Sequence, residues 1–168
     1  MRTTREMAEL LTSACESWSL DRPLLARPNA YTRTCVYKDR DFEVLLLNWD
    51  AGAASAVHDH GGQHCWMLVL DGQLRVDDYA RLDRGERAGI AQIEARDSHL
   101  LEAGGLDLRQ GRFDLHRVAA TKDGPALSLH VYATPLRAFA IYDEAASRCH
   151  TVLGTYDEVL HPEIPALH

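Results

Sequence analysis

No run of basic residues occurs anywhere in the sequence, and Asp and Glu outnumber Lys and Arg by 25 to 18, for a formal charge of −7. The electrostatic footprint of a nucleic-acid binder is missing, so nucleic acid is not an expected partner. Absent too is any apolar run approaching the roughly 20 residues of a membrane-spanning helix. The first residues, MRTTREMAELLTSACESW, interleave charge with apolar side chains instead of offering an unbroken apolar stretch and a cleavage site. No signal peptide is expected from that pattern. The four cysteines, Cys15, Cys35, Cys65 and Cys149, are scattered without a CxxC pair, in a chain of 168 residues that has no need of disulfide staples. Reduced thiols in a soluble, cytoplasmic, monomeric protein are the expectation. There is no internal repeat and no linker, and a 46% hydrophobic composition suffices for one core. A single domain over 1–168 follows.

Two textures are present. Thr3 and Glu6 have capping-box spacing, and Met7, Leu10, Leu11, Ala14 and Trp18 recur at helical intervals, which predicts an amphipathic helical segment within 1–30, packed on whatever follows. From Tyr31 onward the chain breaks into short apolar or alternating runs: TRTCVY, FEVLLLNW, HCWMLVL, QLRVDDY, FDLHRVAA and LSLHVYA. Turn-forming stretches separate them, namely KDRD, DAGAA, DG, LDRGERAG, EAGG and KDGP. Many short strands joined by tight turns predict an all-β fold, an antiparallel barrel or jelly roll. RAFAIYDEAASRCHTVLGTYDE reads as a final hairpin, and the tail HPEIPALH is too proline-rich for either regular element.

The stretch VHDHGGQHCWMLVL carries the chemistry. His58 and His60 sit where a loop meets a strand, and residues two apart on a strand share a face, so both imidazoles aim the same way. Two convergent neutral imidazoles make half a site for iron, zinc, copper or nickel. A third ligand has to come from a later strand, with His116 of DLHRVAA the best candidate and His130 next. In LSLHVY the polar residues Ser128, His130 and Tyr132 alternate with Leu127, Leu129 and Val131, so a period of two puts a Ser-His-Tyr row on one face. Such a row can hydrogen-bond in series. A nucleophilic Ser-His hydrolase competes for the same residues, but no acid partner in a recognisable motif and no nucleophile elbow accompanies them. Trp49 and Trp66 alternate into apolar faces and read as core. His99, His150, His161 and His168 read as surface, and Cys35 and Cys149 as ordinary thiols.

Gly52, five residues, His58-Asp59-His60, four residues, Cys65, six residues and Gly72 match the spacing of the first cupin motif, with cysteine where cupins usually carry glutamate. That cysteine in an HDHxxxHC context resembles the thiol dioxygenases, above all cysteine dioxygenase. The likeness continues through Tyr31 to Arg33 (YTR), His116 to Val118 (HRV) and Pro125 to Tyr132 (PALSLHVY). The resemblance implies a cupin jelly-roll barrel, Fe(II) held by His58, His60 and His116, and oxidation of L-cysteine with O2 to cysteine sulfinate. It also implies that Arg33 binds the substrate carboxylate through its planar fork, with Tyr31 lining the same pocket and His64 close to the ligand loop. Ser128, His130 and Tyr132 would then act beside the iron, and Cys65 would form a thioether with Tyr132, as animal-type members do. Many bacterial relatives carry glycine at the Cys65 position.

The sequence departs from the family in two places. In the second cupin motif the usual glycine before the histidine is Phe113 or nearby, and an expected asparagine is Ala120; after Tyr132 the chain reads ATP, where animal enzymes have serine-proline-proline. The second departure touches the carboxylate pocket and admits another thiol acid such as 3-mercaptopropionate, although members preferring that substrate generally have glutamine at the Arg33 position. A zinc cupin explains only the histidines. A non-catalytic cupin that binds a small ligand explains the barrel but not the pairing of Cys65 with Tyr132.

Overall fold

The computed structural model describes residues 6, 9–11, 13 and 24–160. Residues 6, 9–11 and 13 are helical. Of the expected helix positions, Leu10 and Leu11 fall within the described residues, while Thr3, Met7, Ala14 and Trp18 lie outside them, as does the tail from His161. No helix among the described residues is long and apolar enough to cross a membrane.

Twelve strands form two six-stranded sheets. The first sheet runs β12 (Glu158–Val159), β1 (Tyr31–Lys38), β2 (Phe42–Trp49), β9 (Ala126–Ala133), β4 (His64–Asp71) and β7 (Leu106–Arg109). The second runs β11 (Arg148–Leu153), β10 (Ala138–Asp143), β3 (Val57–His58), β8 (Leu115–Ala120), β5 (Gln73–Arg81) and β6 (Ile93–Glu102). Every pairing between these strands is antiparallel except that of β12 with β1. This is the jelly roll expected from the run of short strands, and β10 with β11 is the expected closing hairpin.

The first sheet is apolar on both faces, which explains why FEVLLLNW and HCWMLVL read as nearly continuous hydrophobic runs. Leu45, Leu47 and Trp49 of β2 with Cys65, Met67 and Val69 of β4 fill the barrel interior. The intervening Leu46, Leu68 and Leu129 are register neighbours on the outer face, where Leu11 of the N-terminal segment and Leu24 cover them. Burying such side chains contributes roughly 1.5–3 kcal/mol each.

Four strands carry no strand signal in the sequence, the two-residue β3 and β12 and the longer β6 and β7. Ile93–Glu102 is a sheet edge whose residues are mostly exposed, so it lacks an apolar stripe. Leu106–Arg109 is a four-residue edge whose buried side chains are Asp107 and Arg109, which no hydrophobic alternation can announce. The tight turn at Asp71-Gly72 joins β4 to β5, and Gly72 adopts φ 73° against the Pro125 carbonyl, where a Cβ has no room.

The chain after β11 seals one side of the barrel. Asp157 N–H donates to the Arg33 carbonyl at 2.9 Å, Leu160 N–H donates to the Cys35 carbonyl at 2.9 Å, and the Tyr156 hydroxyl donates to the fully buried Glu43.

Candidate active site

Sequence spacing places His58 and His60 on one strand running into CWMLVL, and the structure differs. β3 contains only Val57 and His58 and belongs to the second sheet, whereas His64 begins β4 in the first. The chain crosses between sheets over His60 to Gln63, so His60 is delivered by a turn. Gly61 makes the crossing possible: it has φ 59°, and a Cβ there would lie 2.7 Å from the Ala138 carbonyl oxygen. Asp59 holds the turn, its Oδ1 accepting from the N–H groups of Gly61 and Ala140 at 3.0 Å each and its Oδ2 from the Tyr142 hydroxyl at 2.8 Å. The middle residue of HDH is therefore the brace that turns two histidines toward one point.

His116 completes the group. It pairs directly with His58 across β3 and β8. Ring centroids are 5.1 Å apart for His58 and His60, 4.7 Å for His58 and His116, and 4.9 Å for His60 and His116. One ligand atom from each lies within 4.8 Å of the others. His60 and His116 are buried and His58 is half-buried. His58 Nδ1 meets the Ala56 carbonyl at 2.9 Å, which fixes the proton on Nδ1 and leaves Nε2 free. Neither ring nitrogen of the buried His60 has a hydrogen-bond partner. A buried imidazole without partners is costly unless something else fills its coordination, and a metal ion does so.

Burial, then the neighbouring His116, pushes His58 down to about 3; burial first and then His58 push His60 down. His116 is lowered by burial against the opposing pull of Asp107. All three rings are neutral at physiological pH, the form that binds metal. The donor set therefore fits a divalent transition metal with open positions for substrate.

His58 opens onto a cavity of about 400 Å³ that is also lined by Tyr31, Arg33, His130, Tyr132 and Phe139. The Arg33 guanidinium carbon lies 5.9 Å from the Phe139 ring centroid. Tyr31 stacks on Trp49 with centroids 4.5 Å apart. Ser128 and His130 are buried and joined at 2.9 Å between Oγ and Nε2, and Trp49 Nε1–H donates to the same Oγ at 2.9 Å. The serine so engaged keeps its own hydroxyl proton for His130, whose ring burial holds down to about 3. The expected series does not continue through hydrogen bonds to the tyrosine. Tyr132 lies beside His130, with centroids 6.3 Å apart and planes at 20°, and stands opposite Cys65 across the β4–β9 ladder. Burial raises both the Cys65 thiol and the Tyr132 phenol well above their usual range.

His64 is not brought to the pocket. It stacks on Trp66 at 5.9 Å, one residue out of phase with inward-facing Cys65, on the side of β4 that carries the outer apolar cluster. The departures in the second motif are absorbed without moving His116. The Phe113 ring lies under the Arg81 guanidinium at 4.8 Å, and Ala120 is core.

Sequence reading missed the support behind His116. Its Nδ1 stands 3.1 Å from Asp107 Oδ2, close but off the line of an ideal hydrogen bond. Arg109 grips the same carboxylate, and against the opposing effect of burial the His116 contact and then Arg109 hold its acid well below the usual range. The one sequence signal is a charged pair two residues apart in LDLR.

The family model for cysteine dioxygenase type I matches residues 5–145. Cysteine dioxygenase type 1 from Danio rerio is 30% identical over 128 residues, covering 75% of this chain and 62% of the relative. The protein of that name from Homo sapiens is 27% identical over the same extent. 2-Aminoethanethiol dioxygenase from Mus musculus is 26% identical over 88% of this chain and 61% of the relative. The chain thus spans less than two thirds of the length of these curated relatives. Among solved structures, a protein with a double-stranded β-helix domain from Klebsiella pneumoniae aligns with a TM-score of 0.55 at 17% identity, over 75% of this chain and 96% of that one. KdgF from Halomonas sp. aligns at 0.50 and 15% identity, over 67% of this chain and 84% of that one. These two likenesses speak for the fold alone, a cupin barrel. The family match reaches from the N-terminal segment through the first strand of the closing hairpin, and on it the chain belongs to the cysteine dioxygenase type I family.

Proposed function

We propose that this protein is an Fe(II)-dependent thiol dioxygenase that oxidises L-cysteine with O2 to cysteine sulfinate. The observation that carries the reading is the convergence of three neutral imidazoles beside a cavity that also presents Arg33. His58, His60 and His116 would hold the iron. Iron bound there would supply the redox chemistry that lets O2 react with a thiolate, which zinc does not offer.

The chain's own residues supply binding and orientation. A ligand set of three neutral histidines leaves the metal's double charge uncancelled and so welcomes an anionic sulfur. Arg33 takes the substrate carboxylate in two charge-assisted hydrogen bonds. Tyr31, stacked on Trp49, forms a fixed wall beside it. The Trp49-Ser128-His130 chain locks the imidazole that faces the cavity, and Tyr132 stands beside it as the hydroxyl-bearing edge of the site. Leu47, Leu136 and Phe139 in the lining exclude water and strengthen these polar contacts. Both atoms of O2 end on the substrate sulfur, so the reaction needs no external reductant. Free small thiols as substrates, a cytoplasmic location and a monomeric working form complete the reading.

A second thiol acid, 3-mercaptopropionate, is admitted by the Ala133-Thr134-Pro135 sequence that follows Tyr132 in place of the animal pattern. The test is anaerobic reconstitution with Fe(II), metal analysis, and O2 uptake with cysteine, cysteamine and 3-mercaptopropionate. One iron per chain and fastest uptake with cysteine is the expected result. No uptake with any thiol by the iron-loaded protein would retire the dioxygenase, and preference for 3-mercaptopropionate would retire cysteine as substrate.

A further inference from the structure

Asp107 sits on the short edge strand β7, is buried, and takes no direct part in the proposed reaction. Arg109 Nε and Nη2 donate to its Oδ2 and Oδ1 at 2.7 Å each, a bidentate fork. The remaining arm of the guanidinium, Nη1, reaches Asp78 Oδ1 on β5 at 2.7 Å and Asp114 Oδ1, just before β8, at 3.1 Å. Three carboxylates from three segments of both sheets therefore fix one arginine, and that arginine fixes Asp107. The Asp107 oxygen that takes the Nε–H group is also the one 3.1 Å from His116 Nδ1.

We propose that Asp107, clamped by Arg109, is a positioning residue for the metal centre: it accepts a hydrogen bond from His116 Nδ1–H, the proton staying on the imidazole, and so aims Nε2 at the metal. The inference rests on the three-histidine metal reading above. The neighbouring ligand supports it, because His58 is held at the same ring atom by the Ala56 carbonyl. One ring is oriented by a neutral carbonyl and the other by a full charge. A carboxylate behind an imidazole makes it a stronger donor and removes its rotational freedom before the metal arrives. A clamp that only tied the sheets together would be complete with Arg109 and its three carboxylates and would not need an oxygen turned to a ligand ring.

The test uses the whole chain, stripped of metal and titrated anaerobically with Co(II) against a competing chelator. Asp107→Asn, nearly the same shape without the charge, should weaken Co(II) binding by about 10- to 100-fold; loss of the buried Arg109 pair should also lower the melting temperature of the metal-free protein, so the affinity is read at a temperature where both proteins are fully folded. Zn(II)-loaded protein gives a second readout by proton NMR. A slowly exchanging His116 Nδ1–H resonance, absent from His116→Ala, should move upfield in Asp107→Asn as its acceptor loses charge. Affinity within about threefold of wild type, or an unmoved resonance, would overturn the proposal. Should Asp107→Asn fail to fold, Arg109→Lys keeps the charge and removes the fork, and the same two measurements apply. A wild type that binds neither Co(II) nor Zn(II) would instead remove the metal reading, an outcome distinguishable from the failure of this inference.

Discussion

Cys65 and Tyr132 are direct cross-strand partners in the β4–β9 ladder, and both side chains are buried in the same interior cluster of the barrel. Adjacent strands put the side chains of directly opposed residues about 4.5–5.5 Å apart at Cβ, so a sulfur-to-ring bond needs no backbone rearrangement. Forming it removes the thiol hydrogen and one ring hydrogen, with the two electrons passing to O2. After many turnovers with cysteine, intact mass should fall by about two hydrogens per chain, and peptide mapping should recover the two strands joined. Cys65→Ser should give one unshifted species of lower turnover. Wild-type digests that contain only separate peptides would end the crosslink reading.

Iron occupancy should separate His116 from His130. His116 faces the other two rings within ligand range, whereas His130 Nε2 is already committed to Ser128. His116→Ala should lose most of its iron by metal analysis after anaerobic loading. His130→Ala should keep its iron and lose kcat. The reverse pattern would mean that the third ligand is His130.

Arg33 decides the substrate. Truncating one partner of a charge-assisted pair shielded from water costs roughly 2–5 kcal/mol, so Arg33→Ala should lower kcat/KM for cysteine by about thirtyfold or more. Cysteamine has the same thiol and amine but no carboxylate and should lose far less. Oxygen-electrode rates on both thiols decide, and equal losses would make Arg33 a support of the fold.

Acid stability should report Asp83. Its Oδ1 accepts from Arg81 Nε at 3.0 Å and Gly85 N–H at 2.7 Å, and its Oδ2 from Gln92 N–H at 2.7 Å. The Arg81 hydrogen bond, then the backbone donors, lower its acid from 3.8 to about 2. A depressed folded-state value stabilises above the unfolded value and is lost as pH falls through the folded one. Asp83→Ala should therefore melt about 2–4 °C below wild type near neutrality, for a loss of loop hydrogen bonds worth about 1 kcal/mol. The gap should narrow below about pH 4. A gap independent of pH in thermal melts would assign the loss to packing.

The sequence by itself determined the all-β barrel, because many short strands are separated by tight turns and the central strands β2 and β4, buried on both faces, read as nearly continuous apolar runs. It also singled out His58 and His60, since HxH is a local pattern, but it left His116 and His130 as rivals for the third place, and folding brings His116 within ligand range of the other two. The Ser128, His130 and Tyr132 row was legible because a period of two survives folding unchanged. Tertiary structure alone decided how those residues meet. His58 and Cys65, close neighbours in the chain, lie in different sheets because Gly61 and Asp59 turn the backbone between them. His64 went to the outer face of its strand, and Tyr132 turned to Cys65 because β9 sets them opposite each other. Asp107 and Arg109 stayed hidden because their strand is an edge with charged buried residues, and the partners that justify burying those charges, His116, Asp78 and Asp114, come from other segments that only folding brings within hydrogen-bond range.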